Sequence, residues 1–170
     1  MSLAESIDSF FNNKISIDSI IVCSSLFSIN LLGRTLGEIG TYTYRVIRKN
    51  EFSYLAITGI VSLVVGIFIF FTKDIFINFF DITLEQKNLL SNLLTLYIIY
   101  LPVSLISGGF FEIVRLKNNL KLYRNSLILF YSLLIVLDLI AFYFTKSLIM
   151  LYLATIIAHI INIIYLKIKF

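Results

Sequence analysis

The sequence predicts an all-α fold, a polytopic membrane helix bundle of about five transmembrane helices that forms one domain over residues 1–170. Three observations predict it. Hydrophobic residues occupy 59% of the 170 positions and charged residues 14%, with a mean hydropathy of +0.95; soluble domains run near a half and a quarter. Four nearly uncharged runs are 18 to 23 residues long, the length a helix needs to cross roughly 30 Å of hydrocarbon. The basic residues concentrate in alternate connections between those runs. So much apolar surface excludes a disordered chain, and the shortage of charge argues against a soluble one. Within lipid the backbone must satisfy its own hydrogen bonds, so the runs read as helices. They lack the dyad alternation of an outer-membrane barrel.

The first predicted span, 16–36, is the weakest. Asp18 stands near its start and Arg34 near its end, with an uncharged centre from Ser19 to Gly33. Lys14 and Arg34 can snorkel to the two interfaces; the alternative is an interfacial helix. Glu5 and Asp8 precede it where a signal peptide would carry basic residues. The second span, 54–71, carries Gly59, Ser62 and Gly66 on one face. This is a seam for close helix packing or, alternatively, a wall of a substrate path. The third, 89–111, contains Pro102 with Gly108 and Gly109 beyond it. Proline removes one intrahelical bond and bends the helix, as passive architecture or as a hinge. The hydroxyls of Tyr97 and Tyr100 on this helix face a cavity or serve packing.

The fourth span, 126–145, contains one charge, Asp138. A carboxyl near mid-span is costly and as a rule faces a bundle interior or a water-filled path. It is a candidate ion-coupling or proton-coupling site, with a structural polar contact and a tolerated relic as the alternatives. The fifth span, 147–166, carries His159, a second coupling candidate whose ordinary role is a hydrogen-bonded core residue. Asp138 lies eight residues before Lys146 and His159 thirteen after it, a mismatch of about 7 Å at 1.5 Å per residue that works against their pairing. Asn30 and Asn162 read as interhelical polar contacts.

With five spans, the compartment holding the 34–51 segment, the 112–124 segment and the tail receives ten Lys and Arg, and the other receives four. The rule that basic residues stay cytoplasmic then places the N-terminus outside and the C-terminus inside a cell membrane, inner or plasma. The basic segments are topology determinants first, and nothing further favours nucleic acid as a partner. One His and one Cys give no metal ligand set. No phosphate-binding glycine loop or nucleophile motif is present, so the chain is expected to be no enzyme and to hold no cofactor.

One stretch carries a family likeness. Asn30-Leu31-Leu32-Gly33-Arg34-Thr35-Leu36-Gly37-Glu38 is followed by Tyr44-Arg45-Val46-Ile47-Arg48-Lys49 and a long apolar span. It resembles the multidrug and toxic compound extrusion (MATE) transporters, whose second and eighth helices end in Gly-x-x-Leu-Gly. Gly33, Leu36 and Gly37 fit that pattern. The phenylalanine-rich stretch from Phe70 to Phe80 looks like the family's external helix end, and Gly108 to Asn125 occupies the place of its Arg-Gly-x-Gly-Asp link. There Lys117-Asn118-Asn119 stands where the family carries glycine and aspartate.

The resemblance covers residues 16 to 166. It implies one lobe of a two-lobed exporter, lacking its first helix, as a fragment or half-transporter. It further implies efflux of organic, cationic or xenobiotic solutes by antiport with Na⁺ or H⁺ as coupling ion. A homodimer or a complementary half would complete the cavity, with membrane lipids around it. Asp138 is a candidate on its own chemistry and matches no coupling acid of the family by position. The other reading is a small structural or accessory membrane protein without transport of its own.

Overall fold

A computed structural model describes residues 51–145 and 147–169, together with Val22, Ser25, Leu26, Ser28, Ile29, Leu31, Gly33 and Thr35, all eight helical. Leu36 and Gly37 of the glycine motif, Asn30, Cys23 and the segment 38–50 lie outside the described residues. Five further helices follow. Helix α1 is Glu51–Phe71, α2 Lys73–Phe79, α3 Leu84–Leu116, α4 Leu120–Thr145 and α5 Leu148–Lys169. Four of them, α1, α3, α4 and α5, are long and apolar enough to cross a membrane. There is no sheet among the described residues. The chain is a polytopic, all-α membrane protein.

Each connection is built by short polar side chains. At the end of α1 the Thr72 hydroxyl donates back to the Phe68 carbonyl at 2.8 Å, and the Thr72 carbonyl accepts from Ile75 N at 3.0 Å to start the single short helix α2. Thr83 opens α3 with a reciprocal cap. Gln86 N donates to Thr83 Oγ1, and Thr83 N donates to Gln86 Oε1 at 2.8 Å, so two otherwise unpaired donors are satisfied together.

Helix α3 has 33 residues, about 50 Å at 1.5 Å per residue, well beyond the 23-residue apolar run inside it. It ends where Asn118 takes a left-handed backbone, φ 54°, and Asn119 N reaches the Val114 carbonyl at 3.3 Å. Asn is among the few residues with a side chain that tolerate this conformation. Asn119 then caps α4, its Oδ1 accepting from Leu122 N at 3.1 Å. The tripeptide that departs from the family's glycine and aspartate pattern is thus a complete stop and start between two helices.

Helix α3 is the hub. One core joins Val22, Leu26 and Ile29 to Ile69 of α1, Ile77 of α2, Ile156 of α5 and the buried leucines of α3. A second, smaller core gathers Val114, Leu122 and Leu166 where the helices α3, α4 and α5 meet.

Helix α1 buries Thr58, Ser62, Gly66 and Ile69, one stripe at helical spacing. Ser62 donates to the Thr58 and Gly59 carbonyls at 2.6 and 3.0 Å, and Thr58 to Tyr54 O at 2.8 Å. These hydroxyls are consumed within their own helix.

The α1 stripe meets α3 antiparallel. A side chain on Gly66 would lie 3.2 Å from Ile98 Cα, one on Gly59 3.2 Å from Ile106 Cδ1, and one on Gly109 2.9 Å from Leu55 Cδ2. Moving back along α1 moves forward along α3 by nearly the same count. Gly33 packs in the same way, since a Cβ there would collide with the Tyr97 hydroxyl and come within 2.9 Å of Ile69 Cδ1. Gly108 faces open space. Pro102 lies inside α3, and because proline has no N–H, the Ile98 carbonyl loses its usual donor four residues on. Gly66 lies against that same turn.

Adding a side chain at this crossing should separate the helices. Gly66→Val is expected to cost about 1–3 kcal/mol, whereas Gly108→Ala should be neutral or gain up to about 1 kcal/mol. Denaturant unfolding of the purified chain in detergent micelles, followed by circular dichroism, measures both.

Candidate intramembrane site

Helix α3 carries Tyr97, Tyr100, Ser104 and Ser107 at spacings of three and four, all buried. Such spacing places them on one stripe, and α5 approaches that stripe with Tyr152, His159 and Asn162. The rings form a connected series. Tyr97 and Tyr100 have centroids 5.8 Å apart, Tyr100 and Tyr152 4.9 Å, and Tyr100 and His159 6.1 Å. Phe130 of α4 closes it against His159, at 4.7 Å and 37°. Offset and edge-on contacts of this range favour aromatic rings through their quadrupoles. Below His159 on the same face, Asn162 Nδ2 donates to Ser107 Oγ at 3.4 Å. Ser104 donates to the Leu101 carbonyl of its own helix at 3.1 Å.

Polar capacity is left over. Among the described residues, the Tyr152 hydroxyl and Asn162 Oδ1 are shut off from the surface and make no hydrogen bond. Buried polar atoms are seldom left in this state. Two such atoms, two turns before and one turn after His159 along α5, mark the stretch of the α3–α5 interface where a polar partner would be most favoured.

Asp138 stands apart. It lies two turns along α4 from Phe130, about 12 Å at 1.5 Å per residue. The residue is half-buried, and its Oδ1 is enclosed without a hydrogen-bond partner. His159 is level with Phe130, and the helix register does not bring Asp138 to it. Pro102 and Gly109 lie in α3 on its way past α1, and Gly108 opens outward. No three His, Cys, Asp or Glu side chains come together among the described residues.

A separate apolar groove of about 410 Å³ lies between α2 and the first helical residues, lined by Ser28, Ile29, Ile75, Phe76, Phe79 and Phe80. It shares no residue with the ring series.

Sequence reasoning singled out Tyr97, Tyr100, His159 and Asn162, and missed Tyr152, Phe130 and Ser107. The signal for Tyr152 was present: it precedes His159 by seven residues and Asn162 by ten, one stripe of α5. Phe130 and Ser107 depend on helix register, which a single chain's periodicity does not contain. No family model, curated protein or solved structure matches the chain.

Two outcomes follow from the geometry. In a double-mutant cycle, Asn162→Leu and Ser107→Ala should show a coupling of about 0.6 kcal/mol in unfolding free energy, the usual size of an interhelical bond in a membrane. His159→Phe retains the ring contacts and should stay within about 1.5 kcal/mol of the parent, whereas His159→Ala should lose about 2–4 kcal/mol. Micellar unfolding measures both.

Proposed function

We propose that the chain is one lobe of a membrane exporter of the MATE type, moving organic cations out of the cell in exchange for Na⁺ or H⁺, and that it catalyses no covalent chemistry. The observation that carries this reading is the stripe between α3 and α5, with Tyr97, Tyr100, Ser104, Ser107 and Asn162 buried and Tyr152 and His159 half-buried, in spans that are otherwise apolar. Polar residues at such positions mark substrate and ion paths in membrane proteins, and tyrosine faces attract organic cations.

The glycine motif adds to it. Gly33, its first residue, packs against Tyr97 and Ile69, so the likeness falls on a residue whose smallness the packing uses. Asp138 is the one acid inside the predicted spans beyond the first, and is the coupling candidate. Basic residues on alternate connections support an external N-terminus and a cytoplasmic C-terminus.

A second reading rests on α4. It exposes Ile128, Tyr131, Ile135, Val136, Leu139, Ile140, Tyr143 and Phe144, a surface expected of a subunit in a larger membrane assembly. In that case the chain is an accessory protein without transport of its own.

Reconstitution separates the two. In proteoliposomes with an imposed Na⁺ or proton gradient, the chain should move a fluorescent organic cation faster than empty vesicles, and Asp138→Asn should return the rate to that of empty vesicles. Movement no faster than empty vesicles under either gradient removes the exporter reading and favours the accessory one.

A further inference from the structure

The open shoulder of α4 repeats at heptad spacing. Ile128, Tyr131, Ile135, Asp138, Phe142 and Thr145 follow one another at alternating steps of three and four, which puts them on a single seam of the helix. Ile128, Tyr131 and Ile135 are 58–60% exposed, Asp138 and Phe142 half-buried and Thr145 exposed. Asp138 is the only charged residue of the seam. Its Oδ1 is enclosed by the chain itself, so the residue's open surface presents the other carboxyl oxygen to whatever covers the seam. Acyl chains satisfy the apolar members of this seam but offer no donor to a carboxyl at mid-span. Whatever covers the seam must bring one.

We propose that the seam is a homodimer interface, in which α4 of two copies pack about a two-fold axis along the membrane normal and the two Asp138 carboxyl groups hydrogen-bond to each other. All copies insert with one orientation, because the same basic segments set it. A two-fold contact between parallel copies therefore brings each residue to its own counterpart at the same depth. The self-complementary group at Asp138 is then another carboxyl, the O–H of one donating to an oxygen of the other. The seam sets Ile128, Ile135 and Phe142 at one heptad position and Tyr131, Asp138 and Thr145 at the other, and a polar group at one level of such a seam fixes its register. The inference rests on the membrane placement of α4 and holds whether or not the chain transports anything.

The test uses the full chain in phosphatidylcholine and phosphatidylglycerol vesicles. With Cys23→Ser removing the native thiol, Tyr131→Cys and Ile135→Cys should each form disulfide-linked dimers on mild oxidation. Ile140→Cys, on the far side of α4 and still 49% exposed, should not. Energy transfer between labelled copies should show Asp138→Ala weakening association about tenfold, the upper end of what one intramembrane hydrogen bond contributes. Asp138→Asn can still pair with its counterpart and should stay within about threefold of the parent.

A chain that stays monomeric at every protein-to-lipid ratio overturns the proposal, as would be expected if a different protein covered the seam. So does Ile140→Cys cross-linking as readily as Ile135→Cys, or Asp138→Ala associating like the parent. Dimerisation without gradient-driven dye movement leaves the seam standing and removes the exporter reading; dye movement by a monomer does the reverse.

Discussion

The packing of this bundle depends on how closely α1 can approach α3. Gly66 lies against the backbone of Ile98, the residue whose carbonyl Pro102 leaves without its usual donor. In a membrane an unpaired backbone group has no water to turn to, so bare helix backbone at that turn is the natural neighbour, and its Cα–H offers a weak donor. Gly59 and Gly109 extend the approach along the same crossing, and Gly33 admits Tyr97 from the third direction. The small residues are therefore placed where α3 has to be reached, and α3 in turn supplies one wall to every other helix described.

This placement divides the polar residues into two kinds. Thr58, Ser62, Ser104 and Ser126 bond back to carbonyls of their own helices. They contribute small size and internal satisfaction. Tyr152 and Asn162 keep unspent capacity between α3 and α5, and Asp138 keeps it on the outer shoulder of α4. The first kind explains how the bundle packs, and the second marks where it can interact with something else. Without the hydrogen-bond partners, all of these residues would look alike as polar interruptions in apolar helices.

The sequence made the four long helices legible, because uncharged runs of this length have few other uses in a folded chain. It made their ends less so. The apolar run of α3 starts at Leu89 and stops at Phe111, while the helix runs from Leu84 to Leu116. The extra turns carry Glu85, Lys87, Glu112 and Arg115, which are helical although charged and read as loop when only hydropathy is followed. Thr83 and Gln86 did spell a capping box, and Asn118-Asn119 a stop and start, but both lay in segments read for their charge. The ring series was half visible for a different reason. Stripe membership follows from spacing within one helix, whereas the meeting of Phe130 with His159 is set by the register between helices.

The three-residue link at Lys117–Asn119 gives the long helix a mechanical property. From Ile98, where α1 grips it, to Leu116, α3 stays helical for about 27 Å at 1.5 Å per residue, with Pro102 leaving one helical hydrogen bond unmade at the grip itself. A pivot of about 10° at that grip displaces the far corner by about 5 Å over such an arm. The link is three residues long and capped on both sides, so it ties the start of α4 closely to that corner. Arg115, Lys117, Lys121 and Arg124 all sit on this elbow, so a small pivot at the grip would shift four positive charges together.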